Sequence, residues 1–486
     1  MSLAEVLDPR DDDDTTVAVY TAVEEVTRAE LRSRATALAT VLGDAGLRRG
    51  QAVGVMLPND SDIVAALFGI WFAGGVYIPL NPRLSADELA HVIAEDRPAA
   101  IVTRPDDAPR ITDVPVVLAA GRGTWRATRS VDAGAPSLSP EVAAISFTSG
   151  TTGRPKPVPL LHDNVLGLMD GVLATLRGGG APSKAPMPNL IPTSLSLWAG
   201  IYNVIFGFRA GAAFIVMEHF DTRAFADLVA RFQLRSTVLP PAAMTMLADD
   251  ESITTLAPLK YVRSITAPLS PLQARRFRDR FGVLVLNGWG QTEIGGEIVG
   301  WSASDAKEFG DTHLGAVGRA HENVALKISD DGEILVQTPT IRARTAEGDT
   351  MDGRLVDGWF HTGDLGRVDA EAFLWIEGRV SDMINRGGLK VFPEEVAEVI
   401  RLSPDVAECA VAGIPDDRLG EVPWAFVVLR PGAALDDTLT AALDELCREH
   451  LAPYKVPAKF VALDALPRNE VGKILLRELV RLGTQE

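Results

Sequence analysis

The chain has 486 residues, enough for more than one domain. Its 47% hydrophobic and 23% charged residues exclude a disordered tail, a collagen and a coiled coil. Asp and Glu outnumber Lys and Arg by 65 to 47, and the net charge of −18 argues against nucleic acid or an anionic membrane as the main partner, since both select basic surfaces.

Met1 to Asp14 is polar, closes on the run Asp11-Asp12-Asp13-Asp14 and lacks the basic and apolar regions of a signal peptide, so the expected compartment is the cytoplasm. Helical periodicity covers Ala29 to Gly46, and Gln51 to Leu57 reads as a buried strand. Ser61 to Ala73 reads as a helix and Gly75 to Pro79 as a strand. Ile63 to Leu80 is the longest apolar stretch, but Asp60, Asp62, Gly74, Gly75 and Pro79 flank or interrupt it, so no membrane span is expected. Ser85 and Glu88 form a capping box for a helix to Glu95, and Ala99 to Thr103 is a further strand. Short apolar runs alternating with helices indicate βαβ units and a largely parallel sheet.

The alternation resumes with a helix over Thr222 to Phe232, a strand over Ser236 to Leu239, a helix over Ser270 to Phe281 and a strand over Val283 to Asn287. From Val317 to Leu374, strands such as Ala325 to Ile328 and Glu333 to Gln337 alternate with Asp/Gly turns, as in a compact β subdomain. A separate αβ pattern begins after Gly378, with helices near Pro393 to Leu402 and Thr438 to His450 and strands near Ala407 to Ala412 and Ala425 to Leu429. Cys409 and Cys447 sit in no CxxC or Cys/His cluster and read as small apolar core side chains, not a disulfide or zinc site. The expected fold is α/β: two αβ subdomains and a small β-barrel-like subdomain in residues 1–378, a connector at 379–382, and a small α+β domain in 383–486.

The strongest local signal is Thr148-Ser149-Gly150-Thr151-Thr152-Gly153-Arg154-Pro155-Lys156, which follows the apolar run Val142 to Phe147 at a strand-to-loop junction. Glycines let backbone approach phosphate closely, hydroxyls and N–H groups form an anion nest, and a lysine adds charge. The lysine spacing is not that of a Walker loop.

Four further motifs follow in order: Gly288-Trp289-Gly290-Gln291-Thr292-Glu293, Trp359-Phe360-His361-Thr362-Gly363-Asp364, the stretch Gly378-Arg379-Val380-Ser381-Asp382 with Gly387-Gly388 and Pro393-Glu394-Glu395 behind it, and Pro467-Arg468-Asn469-Glu470-Val471-Gly472-Lys473. With these the chain, from about Thr27 to Leu479, resembles the adenylate-forming acyl-CoA synthetases, which include 4-coumarate–CoA ligases and luciferases. The resemblance implies that a carboxylate attacks the α-phosphate of ATP, pyrophosphate leaves, and the acyl-adenylate passes to the thiol of CoA after the C-terminal domain rotates. Two anions must meet, so cations and oriented donors are required.

By that resemblance Lys473 bridges the substrate carboxylate and the α-phosphate, Thr292 donates to phosphate, and Glu293 with Thr151 holds Mg²⁺, which prefers hard oxygen ligands. The nucleotide is contacted by Thr148, Ser149, Gly150, Thr151, Thr152, Gly153 and Lys156, by Ala267, Pro268 and Gly290, by Trp289 stacking on adenine, by Asp364 on the ribose hydroxyls, and by Arg379. Gly387 and Gly388 let the pantetheine arm of CoA pass, although a simple turn explains them as well, and Lys390 is a candidate for the second half-reaction. Ser196, Trp198, Ser264, Ile265, Thr266 and Gly288 border the pocket for a small-molecule carboxylic acid, and Ser381 or Asp382 is the hinge.

Four positions depart from the family pattern. Pro157 stands where glycine is usual after the loop lysine and is expected to stiffen that loop. Ser196 replaces a common histidine and cannot carry charge, while Ile265 fills a place usually left open by glycine and favours a short or slender acid. Ser381 takes the hinge position usually held by Asp or Lys. Two other functions compete with CoA ligation: an acyl-AMP ligase that loads the phosphopantetheine arm of a carrier protein in trans, and a non-catalytic acyl-adenylate or nucleotide-binding protein. The segment Thr193 to Trp198 lacks the aspartate an amino-acid-activating domain would need.

Overall fold

In this computed structural model of the chain the described residues are 2–7, 15–149, 155–177, 187–267, 269–346, 351, 353–468 and 474–485. They form two compact units, one of residues 1–268, 273–312 and 321–323, the other of residues 269–272, 313–320 and 324–486.

The first unit holds a seven-stranded sheet in the order Thr124–Ala127, Val116–Gly121, Ala100–Thr103, Ala52–Met56, Val76–Pro79, Val142–Ser149, Pro155–Leu161. The five inner strands are parallel and an antiparallel hairpin strand lies at each edge. Parallel neighbours need crossover helices, and Ser61–Phe72 and Ala86–Asp96 supply two of them. Every residue from Ser61 to Trp71 is buried, and Phe68 shares one core with Leu31, Leu38 and Leu42 of the helix Arg28–Asp44. Asp60 caps Ser61–Phe72, while Thr27 with Glu30 and Ser85 with Glu88 form reciprocal capping boxes.

A second layer of the same unit is built from shorter strands. One sheet runs Asn189–Ile191, Phe214–Val216 and Val17–Tyr20 in parallel with Glu25–Thr27 antiparallel at its edge, and another, wholly parallel, runs Ser236–Leu239, Tyr261–Ser264, Leu284–Leu286. Thr237 Oγ1 donates to the Leu190 carbonyl across 2.9 Å in the interior and ties the edges of the two sheets together. The hairpin Gly288–Gln291 and Gly296–Gly300 follows directly.

The second unit contains the expected β subdomain as a five-stranded antiparallel sheet of Ala325–Ile328, Glu333–Gln337, Leu355–Val356, Trp359–Val368 and Leu374–Arg379. Its C-terminal part is a mixed sheet of Ile384–Arg386, Leu389–Val391, Val406–Asp416, Gly420–Leu429 and Lys459–Ala462 with helices Pro393–Ile400, Asp437–His450 and Leu476–Gln485. Cys409 and Cys447 are free thiols in its core, and burial pushes them up to about 12 and about 11. Among the described residues no helix is long and apolar enough to cross a membrane.

The predicted elements stand within a few residues of their expected bounds. The helix Trp198–Arg209 escapes the sequence reading because it starts behind Leu197, which offers no side-chain cap.

Candidate nucleotide and acid site

The residues expected around the acid lie at or just beyond the carboxyl ends of the strands Asn189–Ile191, Tyr261–Ser264 and Leu284–Leu286. Ser196 and Trp198 follow the first, Ile265 and Thr266 the second, whose last residue is Ser264, and Gly288 the third. Ligands of open α/β sheets bind at the carboxyl ends of the strands, so the topology collects these residues at the edge where such ligands sit.

Asn59 fixes the first loop: its side-chain amide donates to the carbonyls of Thr193 and Met217, each across 3.0 Å, and its Oδ1 accepts from Leu195 N–H at 2.8 Å. Ser196 is 4% exposed, and its hydroxyl lies 2.6 Å from that of Ser194. Trp198 is also buried, and its indole N–H donates to the Gly295 carbonyl at 3.3 Å, which ties the helix Trp198–Arg209 to the loop carrying Thr292 and Glu293. The loop after Tyr261–Ser264 holds Thr266 at φ +72°, a left-handed conformation that a β-branched residue enters only under strain. Ile265 is half-buried, with its N–H on the Leu239 carbonyl. Among the described residues the buried hydroxyls of Thr193, Tyr202 and Ser264 have no hydrogen-bond partner, so each is able to pair with a ligand.

Gly288, Trp289 and Gly290 lie on the first strand of the hairpin, and Thr292 and Glu293 are half-buried in its four-residue connection Thr292–Gly295. The Ile294 and Gly295 N–H groups close that connection on the Gln291 carbonyl.

Glu297, on the second strand of this hairpin, centres a charged cluster that the sequence reading missed. Glu297 Oε1 accepts from Arg263 Nη1 and lies 2.8 Å from His321 Nε2. Arg263 Nη2 also donates to the Trp301 carbonyl at 3.3 Å, and His321 Nδ1 is 3.2 Å from Thr175 Oγ1. Burial alone would push the Glu297 carboxyl up, but the Arg263 guanidinium and the His321 hydrogen bond outweigh it and hold it below the usual carboxylate range. A Cβ on Gly300 would come within 2.3 Å of Glu297 Oε1 and one on Gly288 within 2.9 Å of Oε2, so the motif glycine makes room for this carboxylate. The available signal was a pair of opposite charges in short apolar strands.

In the second unit Asp364 is 3% exposed and stands directly opposite Arg379 in the antiparallel register. Arg379 Nε donates to Asp364 Oδ1 at 2.8 Å, so the arginine pairs with the carboxylate expected to hold ribose. The strand around Asp364 is braced by Glu333, which accepts from Gly363 N–H at 2.9 Å and lies 2.8 Å from His361 Nδ1, and by Arg354, which donates to the His361 and Thr362 carbonyls at 3.0 and 2.9 Å.

Gly387 and Gly388 form the two-residue turn between Ile384–Arg386 and Leu389–Val391, with φ of +59° and +89°. Two positive φ values are what a type I′ hairpin demands, so the pair has a turn as sufficient cause. Lys390 is exposed on the return strand, opposite Asn385. Ser381 Oγ donates to Asp382 Oδ1 at 2.8 Å in the connection between Leu374–Arg379 and Ile384–Arg386.

Gly150, Thr151, Thr152, Gly153, Pro268 and Lys473 lie outside the described residues. The backbone of Thr148 and Ser149 ends the strand Val142–Ser149, and Lys156 returns on Pro155–Leu161. This corrects the expectation for Pro157: it does not stiffen a loop but sits within that strand opposite Phe147, with Pro159 opposite Ile145. The strand is at the sheet edge, where a proline nitrogen that lacks a proton can face outward.

Parallel strands with a polar, partly unpaired rim at their carboxyl ends define the class of α/β enzymes that bind nucleotides and small acids in a crevice. The chain belongs to the AMP-binding enzyme family: the family model covers residues 9–341, and the AMP-binding enzyme C-terminal domain covers residues 395–473. It is similar to a 2-succinylbenzoate–CoA ligase of Bacillus cereus, 31% identical over 94% of each chain. It is also similar to the fatty acid–acyl-carrier-protein ligase ScoC of Streptomyces coeruleorubidus, 29% identical over 96% of this chain and 93% of that one. Among solved structures, ATP-bound MatB from Rhodopseudomonas palustris superimposes with a TM-score of 0.86 at 27% identity, over 100% of this chain and 99% of that one.

Proposed function

We propose that the protein is an ATP-dependent acid–CoA ligase that makes an acyl-adenylate and then transfers the acyl group to the thiol of CoA. The observation that carries this reading is the pair of family matches, the second of which ends on Lys473, the residue whose motif implies the bridging cation.

In the first half-reaction the carboxylate of the acid attacks the α-phosphorus and the bond to pyrophosphate breaks. Lys473 balances the two approaching anions, and Thr292 donates to phosphate. Glu293 offers the hard oxygen that Mg²⁺ selects, and the ion, when bound, neutralises charge on the phosphates. Thr148 to Gly153 and Lys156 cradle phosphate, Trp289 stacks on adenine, and Asp364 accepts from the ribose hydroxyls once Arg379 has turned from it to the nucleotide. The half-buried position of Glu293, the bracing of Asp364 and the buried hydroxyls of Thr193 and Ser264, unpaired among the described residues, suit this ligand set. In the second half-reaction residues 383–486 turn about Ser381–Asp382, the CoA thiolate attacks the acyl carbon, and AMP leaves. Gly387-Gly388 and Lys390 then border the pantetheine arm.

The test is acid-dependent exchange of labelled pyrophosphate into ATP over short, aromatic and long-chain acids, followed by CoA-dependent AMP release. Exchange without CoA-dependent release, with release restored by a phosphopantetheinylated carrier protein, selects the carrier-loading reading that the ScoC resemblance favours. Nucleotide binding with no exchange across the panel rejects both.

A further inference from the structure

Glu297 uses its two oxygens unequally. Oε1 carries both Arg263 and His321, while Oε2 accepts no hydrogen bond from any described residue and points toward Gly288, the first residue of the Gly-Trp-Gly-Gln-Thr-Glu motif. The side chain is 14% exposed, so it is not sealed in the core. Beside it stands Tyr202. A Cβ on Gly296 would fall 2.7 Å from the Tyr202 Cε2, so the ring covers the residue preceding Glu297. The Tyr202 hydroxyl is buried and has no partner among the described residues. Burial first, and the negative charge of Glu297 second, push the phenol above its ordinary range, so it keeps its proton.

One group thus accepts only and the other both donates and accepts; Tyr202 on the helix Trp198–Arg209 packs against Gly296, next to Glu297 on the hairpin strand Gly296–Gly300, whose Oε2 faces the motif residue Gly288. A hydroxyl satisfies both at once, giving its proton to Glu297 Oε2 and taking one from Tyr202. A plain hydrocarbon leaves both unpaired, and a site built around buried polar groups rejects an analogue that cannot pair them. Arg263 and His321 both engage Oε1 and hold the carboxylate in place and ionised.

We propose that Tyr202 and Glu297 are specificity-determining residues that read a hydroxyl on the acid, remote from its carboxyl group. This deepens the acid–CoA ligase reading and rests on it.

The test measures kcat/KM for pyrophosphate exchange with three matched pairs: hexanoic acid and its ω-hydroxy derivative, phenylpropanoic acid and its para-hydroxy derivative, and cyclohexanecarboxylic acid and its γ-hydroxy derivative. The wild-type enzyme is expected to prefer the hydroxy member of at least one pair by about tenfold or more. Tyr202→Phe, which removes only the unpaired hydroxyl, should cut that preference about tenfold, leave the deoxy acid within about twofold, and not lower the thermal midpoint. Glu297→Gln should also erode the preference. A wild-type enzyme that favours no hydroxy acid, or a Tyr202→Phe variant with an unchanged ratio, overturns the assignment while leaving ligation intact. Absence of exchange with every acid overturns the ligase reading itself and the assignment with it.

Discussion

Thr266 is held at φ +72° on the loop between Ser264 and Ala267, at a cost of about 1 kcal/mol or more. Thr266→Gly relieves that strain but gives the unfolded chain more freedom, so the stability measured by chemical denaturation should change by less than about 1 kcal/mol. It should also slow pyrophosphate exchange severalfold, because the loop beside the acid is no longer held in one conformation. Ile265, its neighbour, is half-buried at the same strand end, and Ile265→Gly should widen the acid panel toward bulky aryl and long-chain members. An unchanged substrate profile would show that Ile265 does not bound the pocket. At this scale the motif residues were legible because glycine, hydroxyl and charge recur at fixed spacing. Arg263, Glu297, Tyr202 and Asn59 were not. Each stands in a short strand, a loop or a helix face, and only the three-dimensional fold brings Arg263 onto Glu297 or Asn59 onto the loop at Leu195.

Among the elements, the short N-terminal helix Leu3–Leu7 depends on one neutral imidazole. The Leu3 N–H donates to His162 Nδ1 at 3.1 Å, and burial holds His162 down at about 4 against an ordinary 6.5, although Asp163 and Glu5 pull the other way. A base with a depressed folded value is bound neutral, so its contribution is whole above pH 6.5 and is lost as pH falls toward 4. Amide exchange across residues 3–7, corrected for the intrinsic rate, should lose protection by up to about tenfold per pH unit in that window. Constant protection would mean that this helix is anchored by Leu3 and Leu7 in the core alone. The βαβ alternation was legible at this scale because caps and apolar runs punctuate it. The edge strand holding Pro157 was not, since prolines in a run argue against a strand until an edge position is known.

For the molecule as a whole, the net charge of −18 opposes its own substrates, so the anions must be met by local donors and cations. Lys473 carries the clearest consequence. Lys473→Ala should reduce acyl-AMP formation by more than about a hundredfold, as expected for an oriented charge at the reacting centre. Conversion of supplied acyl-AMP and CoA to thioester should stay within a few fold. Equal loss of both halves in a quenched-flow assay would contradict alternation of residues 383–486 between two tasks. The order of five motifs made the family legible from end to end, whereas the identity of the acid depends on side chains scattered over several strand ends.

The ring nitrogens of Pro157 and Pro159 have an effect that reaches beyond catalysis. They alternate along the outermost strand of the seven-stranded sheet, in register with Phe147 and Ile145. A second chain that tried to extend the sheet there would find alternate donors missing, and pairing between molecules would stop before it propagated. The strand that returns from the phosphate loop is thereby protected against templating fibrous association while it is newly made and its hairpin is still forming.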